Sequence, residues 1–161
     1  MDAEPHPTPH AHDQGGVEHQ LDRAAALCER SGGKLTELRR QVLALVLTAG
    51  KPVGAYDLLD KLRGQRRGAA PPTVYRALEF LLEHGLIHRI ERLSAFVGCP
   101  VHDHHAHAAQ FLICGGCGMV QELEDDAVRL ALEQAAARRG FSIGGATIEA
   151  EGRCSACQPA A

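Results

Sequence analysis

The sequence predicts an α+β chain in two parts, a winged helix-turn-helix domain followed by a small α/β domain. Three observations lead to this prediction. Residues 17–85 contain four stretches with apolar residues at helical spacing. Two short strand-like runs follow the last of these helices, as the wing of such a domain requires. Two Cys-x-x-Cys pairs then stand in the C-terminal part. The expected bounds are 1–16 for a disordered tail, 17–99 for the first domain and 100–161 for the second.

The composition fits a protein of one domain or two small ones. The chain has 161 residues, of which 45% are hydrophobic, which is enough to form a packed core. No apolar run is long enough to span a membrane, and the N-terminus lacks the basic start and apolar core of a signal peptide. We therefore expect a cytoplasmic protein with no membrane partner, in which cysteines stay reduced and their clusters usually hold metal.

The charges are unevenly distributed along the chain. The net charge is −3, which alone argues against a nucleic-acid partner. Residues 17–98, however, carry 13 Lys and Arg against 9 Asp and Glu, whereas residues 99–161 carry 4 against 8. Only the first domain is therefore suited to bind phosphates.

The first domain is expected to begin with three helices after a Pro- and His-rich tail, which cannot form a core. Helices are predicted over 17–30, 37–49 and 55–63 from their apolar stripes. Thr36 is a plausible N-cap for the second helix, and Gly50 is expected to end it. A basic loop is expected over 64–68.

The clearest helix lies within residues 71–85. Prolines precede it, Thr73 is placed to cap it, and Gly85 ends it. The apolar residues that recur at helical spacing on one face are Val74, Ala77, Leu78, Leu81 and Leu82. Tyr75 and Arg76 are left largely facing out. Two short strands are predicted after it, over 86–91 and 95–99. Three helices, a recognition-type helix and a β-hairpin make a winged helix-turn-helix.

Recognition helices of this kind enter the major groove with their N-terminal residues against base edges. Arg76 lies one turn into the helix, where an arginine can donate two parallel hydrogen bonds to guanine. Tyr75, Tyr56 and Thr73 can reach phosphate or a thymine methyl group. An ordinary solvated helix face is the competing interpretation, and the neighbouring basic loop and hairpin favour double-stranded DNA.

The second domain is expected to be a small sheet with one helix. Strands are predicted over 109–113 and 119–123, on either side of the first cysteine pair. Asp125 and Asp126 are expected to open a helix over about 125–139, because acidic side chains are favoured at a helix N-terminus. Gly140 is expected to close that helix, and residues 141–150 offer one or two further strands.

The two cysteine pairs, Cys114–Cys117 and Cys154–Cys157, predict a structural zinc site. Two Cys-x-x-Cys turns supply four thiolates, enough for a closed tetrahedral shell. Two local disulfides, a redox dithiol and buried thiols are the alternatives. A redox pair would stand alone near a βαβ pattern, so the doubled pair argues against it. The zinc would connect the two ends of the second domain.

A second group of metal-ligand residues lies near the junction of the two domains. It consists of His88, Cys99, His102, Asp103, His104, His105, His107 and Glu122. A mixed set of histidine, cysteine and glutamate suits zinc. Its ligands would come from both domains, so metal binding would restrain their relative orientation.

At these residues the chain resembles the ferric uptake regulator (Fur) family, most closely its zinc branch. The resemblance covers about 20–158 and rests on Leu35-Thr36, the run Ala55-Tyr56-Asp57-Leu58-Leu59, the run Pro71 to Leu78, His88, the histidine run and both cysteine pairs. It implies a winged-helix domain, an α/β dimerisation domain and a homodimer.

The resemblance also implies two zinc sites and a function. The structural zinc falls on Cys114, Cys117, Cys154 and Cys157, and the regulatory zinc on His88, Cys99, His107 and Glu122. Cys99 favours the zinc branch, since the iron branch uses mainly nitrogen and oxygen ligands. The surplus His102, His104 and His105 are possible extra ligands. The implied function is a zinc-responsive repressor that binds palindromic operator DNA when its regulatory site is filled.

Two other functions compete with a zinc-responsive repressor. One is a sister sensor of iron or peroxide on the same fold. The other is an enzyme such as a zinc hydrolase or a zinc deaminase. A deaminase needs a His-x-Glu motif followed by Pro-Cys-x-x-Cys. Neither cysteine pair follows a proline, so the sequence argues against an enzyme.

Overall fold

The computed structural model describes residues 14–65, 67–99, 109–123 and 125–158. The chain divides into two compact units, with the boundary after residue 102. Most of the predicted disordered tail lies outside the described residues. Each unit is described by itself.

The first unit contains four helices. They are α1 (Gln14–Arg30), α2 (Glu37–Ala49), α3 (Ala55–Gln65) and α4 (Pro71–Glu83). Helix α1 begins three residues earlier than predicted, so residues 14–16, which were predicted to belong to the disordered tail, are helical. Helix α3 continues two residues into the predicted basic loop. Among the described residues, no helix is long and apolar enough to cross a membrane.

The predicted terminal signals are confirmed at both ends of α2, whereas the predicted cap of α4 is wrong. Thr36 is the N-cap of α2, although its side chain makes no capping hydrogen bond, and Gly50 ends α2 with φ +62°. The N-cap of α4 is Ala70, so the prediction that Thr73 caps this helix is wrong. Pro71 and Pro72 occupy the first two helical positions, where a missing N–H costs nothing, and this places Thr73 inside the first turn.

A three-stranded antiparallel sheet completes the first unit. Its strands are β1 (Val53–Gly54), β2 (Ile87–Ile90) and β3 (Ala95–Gly98), in the order β1-β3-β2. A short 3₁₀ helix, Glu91–Leu93, connects β2 to β3, and Ser94 follows it with φ +46°. The predicted hairpin is therefore present, with shorter strands. The two-residue β1 has no periodicity of its own and was not predicted.

The core of the first unit is mostly aliphatic and lies between the helices and the sheet. The buried side chains of three of its helices are Val17, Leu21, Ala24, Leu27 and Cys28 in α1, Leu58, Leu59 and Leu62 in α3, and Val74, Ala77, Leu78, Phe80 and Leu81 in α4. Burying one such large side chain contributes about 1.5–3 kcal/mol. Phe80 is a departure from the predicted stripe, in which Leu82 held that role, and Leu82 is half-buried.

Ion pairs also connect α1 to α2. The guanidinium of Arg40 lies 2.7 Å from the carboxylate of Glu18 and 2.9 Å from that of Asp22. Both carboxylates are largely exposed, so each pair contributes well under about 1 kcal/mol. The apolar face of α1 therefore supplies most of its attachment.

The second unit contains three strands and one helix. They are β4 (Ala109–Cys114), β5 (Val120–Leu123), α5 (Asp126–Ala137) and β6 (Thr147–Gly152), with the sheet order β5-β4-β6. Strand β5 is antiparallel to β4, whereas β6 is parallel to it. Strand β6 covers the last four residues of the stretch 141–150, predicted as one or two strands, and continues two residues beyond it.

Helix α5 is shorter than predicted and is capped as its acidic residues indicate. Asp125 lies outside the helix as its N-cap and accepts a hydrogen bond from the N–H of Ala127 at 2.7 Å. The helix ends at Ala137, and Gly140 follows with φ +69°, so the predicted terminator stands just beyond the helix.

Candidate metal centre and nucleic-acid interface

The parallel pairing of β4 with β6 brings the two cysteine turns together. Cys114, at the end of β4, is opposite Gly152, at the end of β6. The N–H of Gly115 donates to the carbonyl of Gly152 at 2.9 Å, so the chain leaves both strands side by side. The second turn, Cys154–Cys157, follows two residues later. Cysteines far apart in sequence thus meet at one end of the sheet.

The four sulfur atoms form a compact cluster. The Sγ atoms of Cys114, Cys117, Cys154 and Cys157 all lie within 4.8 Å of one another, and none of the four cysteines is in a disulfide. The Sγ atoms of Cys117 and Cys154 are 3.8 Å apart. Tetrahedral zinc with Zn–S bonds of about 2.3 Å requires sulfur atoms about 3.8 Å apart. The cluster therefore fits zinc and excludes two local disulfides in this conformation.

Backbone N–H groups favour the thiolate form of Cys114. Its Sγ accepts from the N–H of Cys154 at 3.4 Å and from that of Gly116 at 3.4 Å. Bonds from the backbone N–H groups of Cys154, Cys117 and Gly116 lower the pKa of Cys114 to about 6. The neighbouring sulfur atoms of Cys154, Cys117 and Cys114 raise the pKa of Cys157 to about 12. Without a metal, the cluster therefore cannot carry four thiolates at neutral pH.

These pKa values predict that zinc affinity falls as the pH is lowered. At pH 7 Cys114 is mostly a thiolate, whereas Cys157 keeps its proton and must release it when a metal binds. Release of this one proton alone makes the affinity fall about tenfold per pH unit, and below pH 6 protonation of Cys114 adds to the slope. Chelator competition at pH 6, 7 and 8, corrected for the chelator's own protonation, measures this. An affinity independent of pH would contradict the prediction.

Gly116 lies against the sulfur of the opposite turn. A Cβ atom added at Gly116 would lie 3.0 Å from the Cβ and 3.1 Å from the Sγ of Cys157. We expect Gly116→Ala to displace Cys157 and to weaken zinc binding by at least about tenfold. Gly152→Ala is the matched control, since a Cβ there would meet no atom within 4 Å. Competition against a chromogenic chelator measures both variants, and equal affinities would refute this packing.

The first unit places two of the predicted regulatory ligands on one face of its hairpin. His88 lies in β2 opposite Val97, and the N–H of Cys99 donates to the carbonyl of Leu86 at 3.0 Å. This register makes Leu86 and Cys99 opposite each other, so the side chains of His88 and Cys99 leave the same face as diagonal neighbours. Cys99 and the Nε2 atom of His88 are both buried. Two ligands of one ion require such a shared face.

The remaining predicted ligands are divided between the second unit and the undescribed part of the chain. Glu122 is in β5, opposite Phe111, and is half-buried. The other histidines and the aspartate of the connection lie outside the described residues: His102, Asp103, His104, His105 and His107. Within the described ranges, the four-cysteine cluster is the one group of three or more ligand residues close enough to share a metal.

The predicted DNA-facing residues lie at the beginnings of two helices. Tyr56 is the second residue of α3 and is 72% exposed. In α4, Tyr75 and Arg76 are exposed in the first turns, and Thr73 is half-buried. The N-terminal end of α4 therefore presents a phenol and a guanidinium to solvent, as a helix that enters the major groove must.

Sequence reasoning missed two features of the metal centre. Gly152 aligns the two turns through its carbonyl, and Gly116 packs against Cys157. The parallel partner of β4 cannot be read from local periodicity, because β5 and α5 separate the two strands in the sequence. The run of glycines around the first cysteine pair was a usable signal for the close contact, since glycine permits such an approach.

The chain is similar to known proteins over most of its length. Residues 30–151 match the model of the ferric uptake regulator family. The zinc uptake regulation protein of Escherichia coli K12 is 40% identical over 137 residues, which are 85% of this chain and 80% of that protein. A zinc uptake regulator complexed with zinc and DNA is 38% identical, covers 87% of this chain and 93% of its own, and superposes with a TM-score of 0.80. Holo XcZur is 42% identical over 84% of this chain and 94% of its own, with a TM-score of 0.72.

Proposed function

The chain belongs to the ferric uptake regulator family, and we propose that it is a zinc-responsive transcriptional repressor that binds palindromic operator DNA as a dimer. The observation that carries this proposal is the joint presence of a zinc-type thiolate cluster and an exposed recognition helix in a chain 40% identical to a zinc uptake regulator. The proposal divides into three roles, for DNA, for the sensing metal and for the second copy of the chain.

For DNA, we propose that α4 lies in the major groove with Arg76 on a guanine edge. An arginine forms two parallel hydrogen bonds there, and Tyr75, Thr73 and Tyr56 contact phosphate or a thymine methyl group. The support is the exposure of Arg76 and both tyrosines, together with the similar protein found bound to DNA. The excess of basic residues in 17–98 supplies the attraction to phosphate.

For sensing, we propose that His88, Cys99, His107 and Glu122 bind the regulatory zinc, with His102, His104 and His105 as possible extra ligands. The register of the β2–β3 hairpin supports the pairing of His88 with Cys99. Two of the four ligands precede the boundary between the units and two follow it, so metal binding would restrict their relative orientation. By linkage, operator DNA must then tighten zinc binding by the same factor by which zinc tightens DNA binding.

For assembly, we propose that the second unit is completed by a second copy of the chain. Within the described residues, α5 has no fully buried side chain, and its leucines Leu130 and Leu132 are exposed. Phe141 is 67% exposed just after the helix. Apolar surface of this kind is typical of a homodimer interface. A dimer also supplies the two recognition helices that two half-sites require.

Titration of operator binding with zinc tests the function. We expect chains that hold only the structural zinc to bind operator DNA weakly and filling of the second site to tighten binding by about 5- to 150-fold, the usual range of allosteric coupling. Fluorescence anisotropy with a labelled duplex measures the affinity at each buffered zinc concentration. Equal affinity with the second site empty or full would refute zinc-responsive repression.

The alternative function is a sister sensor of iron or peroxide. Cys99 favours zinc, because a thiolate ligand suits zinc, whereas an iron site uses mainly nitrogen and oxygen ligands. Mild chelation followed by titration with zinc, iron and manganese separates the two. We further propose a cytoplasmic protein without enzymatic activity, since a four-thiolate zinc site leaves no open position for a substrate.

A further inference from the structure

Three flat side chains are stacked where α2 meets the C-terminal half of α4. The guanidinium carbon of Arg39 lies 3.5 Å from the ring centre of Phe80. The ring of His84 stacks on the same phenyl ring, with ring centres 3.9 Å apart and planes inclined at 28°. Since both groups lie within 4 Å of the ring centre, they must occupy opposite faces of Phe80. Phe80 is thereby held between a cation and an imidazole.

Each outer member of this stack is fixed to the backbone. Arg39 donates to the carbonyl of Lys34 at 2.6 Å, and Nδ1 of His84 lies 2.9 Å from the carbonyl oxygen of Phe80. The connection between α1 and α2 also packs closely, because a Cβ atom at Gly33 would lie 2.5 Å from Nε2 of His84. The stack therefore fixes α4 against both α2 and the α1–α2 connection.

The stack adds to the apolar packing of Val74, Ala77, Leu78 and Leu81, which together set the rotation of α4 about its axis. Arg76 lies one turn before Phe80, so any rotation at Phe80 is passed directly to Arg76. At a radius of about 5–6 Å, a rotation of about 20° moves a side chain by about 2 Å. A shift of this size breaks the two parallel hydrogen bonds that distinguish guanine.

We propose that Arg39 is a positioning residue for DNA recognition, which holds Phe80 and so the angle at which Arg76 meets the bases. This inference rests on the proposed function as a DNA-binding regulator. The competing interpretation of Arg39, a half-buried arginine in a DNA-binding domain, is that it contacts a phosphate directly. The two roles differ measurably, because a phosphate contact changes the salt dependence of binding and a positioning residue changes sequence discrimination.

The test uses the zinc-loaded full-length dimer and a duplex that the wild-type protein selects from a random library. We would measure the dissociation constant of that duplex and of an unrelated duplex at several salt concentrations. The variants are Arg39→Ala, Arg39→Lys and Arg40→Ala. Arg40→Ala is the matched control, because it removes the same charge from the next position of α2 but belongs to ion pairs with α1.

We expect Arg39→Ala to weaken binding of the selected duplex about tenfold, while binding of the unrelated duplex and the salt slope stay as in wild type. Arg39→Lys keeps the charge but loses the flat stacking surface, so we expect an intermediate loss. Arg40→Ala should bind both duplexes within about twofold of wild type. Zinc content and thermal unfolding are measured on each variant. If Arg39→Ala does not fold, the discrimination between the two duplexes by Arg39→Lys tests the proposal.

Three outcomes would overturn the proposal. Equal weakening on both duplexes, with a salt slope lower by about 0.9, would make Arg39 a phosphate contact. A lower melting temperature with unchanged discrimination would make the stack merely structural. Failure of the wild-type protein to select any duplex would instead refute DNA binding itself, which separates failure of the proposed function from failure of this inference.

Discussion

We expect Cys154→Ser to abolish binding of the structural zinc and to unfold the second unit. The Sγ atoms of Cys117 and Cys154 are 3.8 Å apart, so this substitution removes one of the four sulfur ligands from a pair that joins the two turns. In small zinc-dependent domains, metal binding supplies roughly 10–16 kcal/mol of apparent free energy, which is folding free energy. Within the described residues, the buried side chains of this unit are confined to β4, and its helix has none, so the metal must supply much of its stability. Loss of zinc should therefore also abolish dimerisation and operator binding.

Zinc analysis per chain, circular dichroism and analytical ultracentrifugation measure this result. Cys28→Ser is the matched control, because Cys28 is fully buried in the core of the first unit and lies outside both proposed metal sites. That variant should keep its zinc content and its dimer, with only a modest loss of stability. A dimeric Cys154→Ser protein with a full complement of zinc would show that the cluster is not a structural zinc site.

The success of the fold prediction depended on how local each signal is. Helix α2 begins and ends where its apolar stripe and Gly50 indicate, because helical periodicity and a left-handed terminator act within one turn. Strand β1 was missed because two residues carry no periodicity, and it exists only through its pairing with β3. Thr73 was misplaced as a cap because the two prolines before it start the helix earlier.

The functional residues likewise fall into those that local sequence signals predicted and those that depend on how the helices pack. The spacing of the four cysteines predicted that they form one cluster. Each Cys-x-x-Cys turn is a local feature that already supplies two ligands, and a second such turn completes a four-ligand set. The Arg39–Phe80–His84 stack could not be predicted, because it depends on the angle between α2 and α4. Phe80 is not among the residues that periodicity placed on the buried stripe of α4, and the guanidinium and imidazole on its two faces add to the apolar packing that buries it.

The second large effect is expected for Cys99→Ser, which should remove zinc control of DNA binding without unfolding the protein. Cys99 is the sulfur ligand of the proposed regulatory site, and a serine hydroxyl is a far weaker zinc ligand than a thiolate. The bound zinc should fall by one exchangeable ion per chain, and the dimer should persist because the four-cysteine cluster is untouched. Zinc can shift an equilibrium only by its differential affinity for the two states. The variant should therefore bind operator DNA as weakly at high zinc as wild type does at low zinc.

Zinc stoichiometry, sedimentation and anisotropy on the same preparations distinguish this result from general damage. Cys28→Ser again serves as control, since it removes a buried thiol from the same unit and should respond to zinc like wild type. Because His88 and Cys99 share one face of the hairpin, His88→Ala should cause the same loss of zinc-dependent DNA binding. The double variant should show no additional loss. Additive losses in the double variant would mean that the two side chains do not hold one ion, and zinc sensing through the β2–β3 hairpin would be refuted even if the protein still bound DNA.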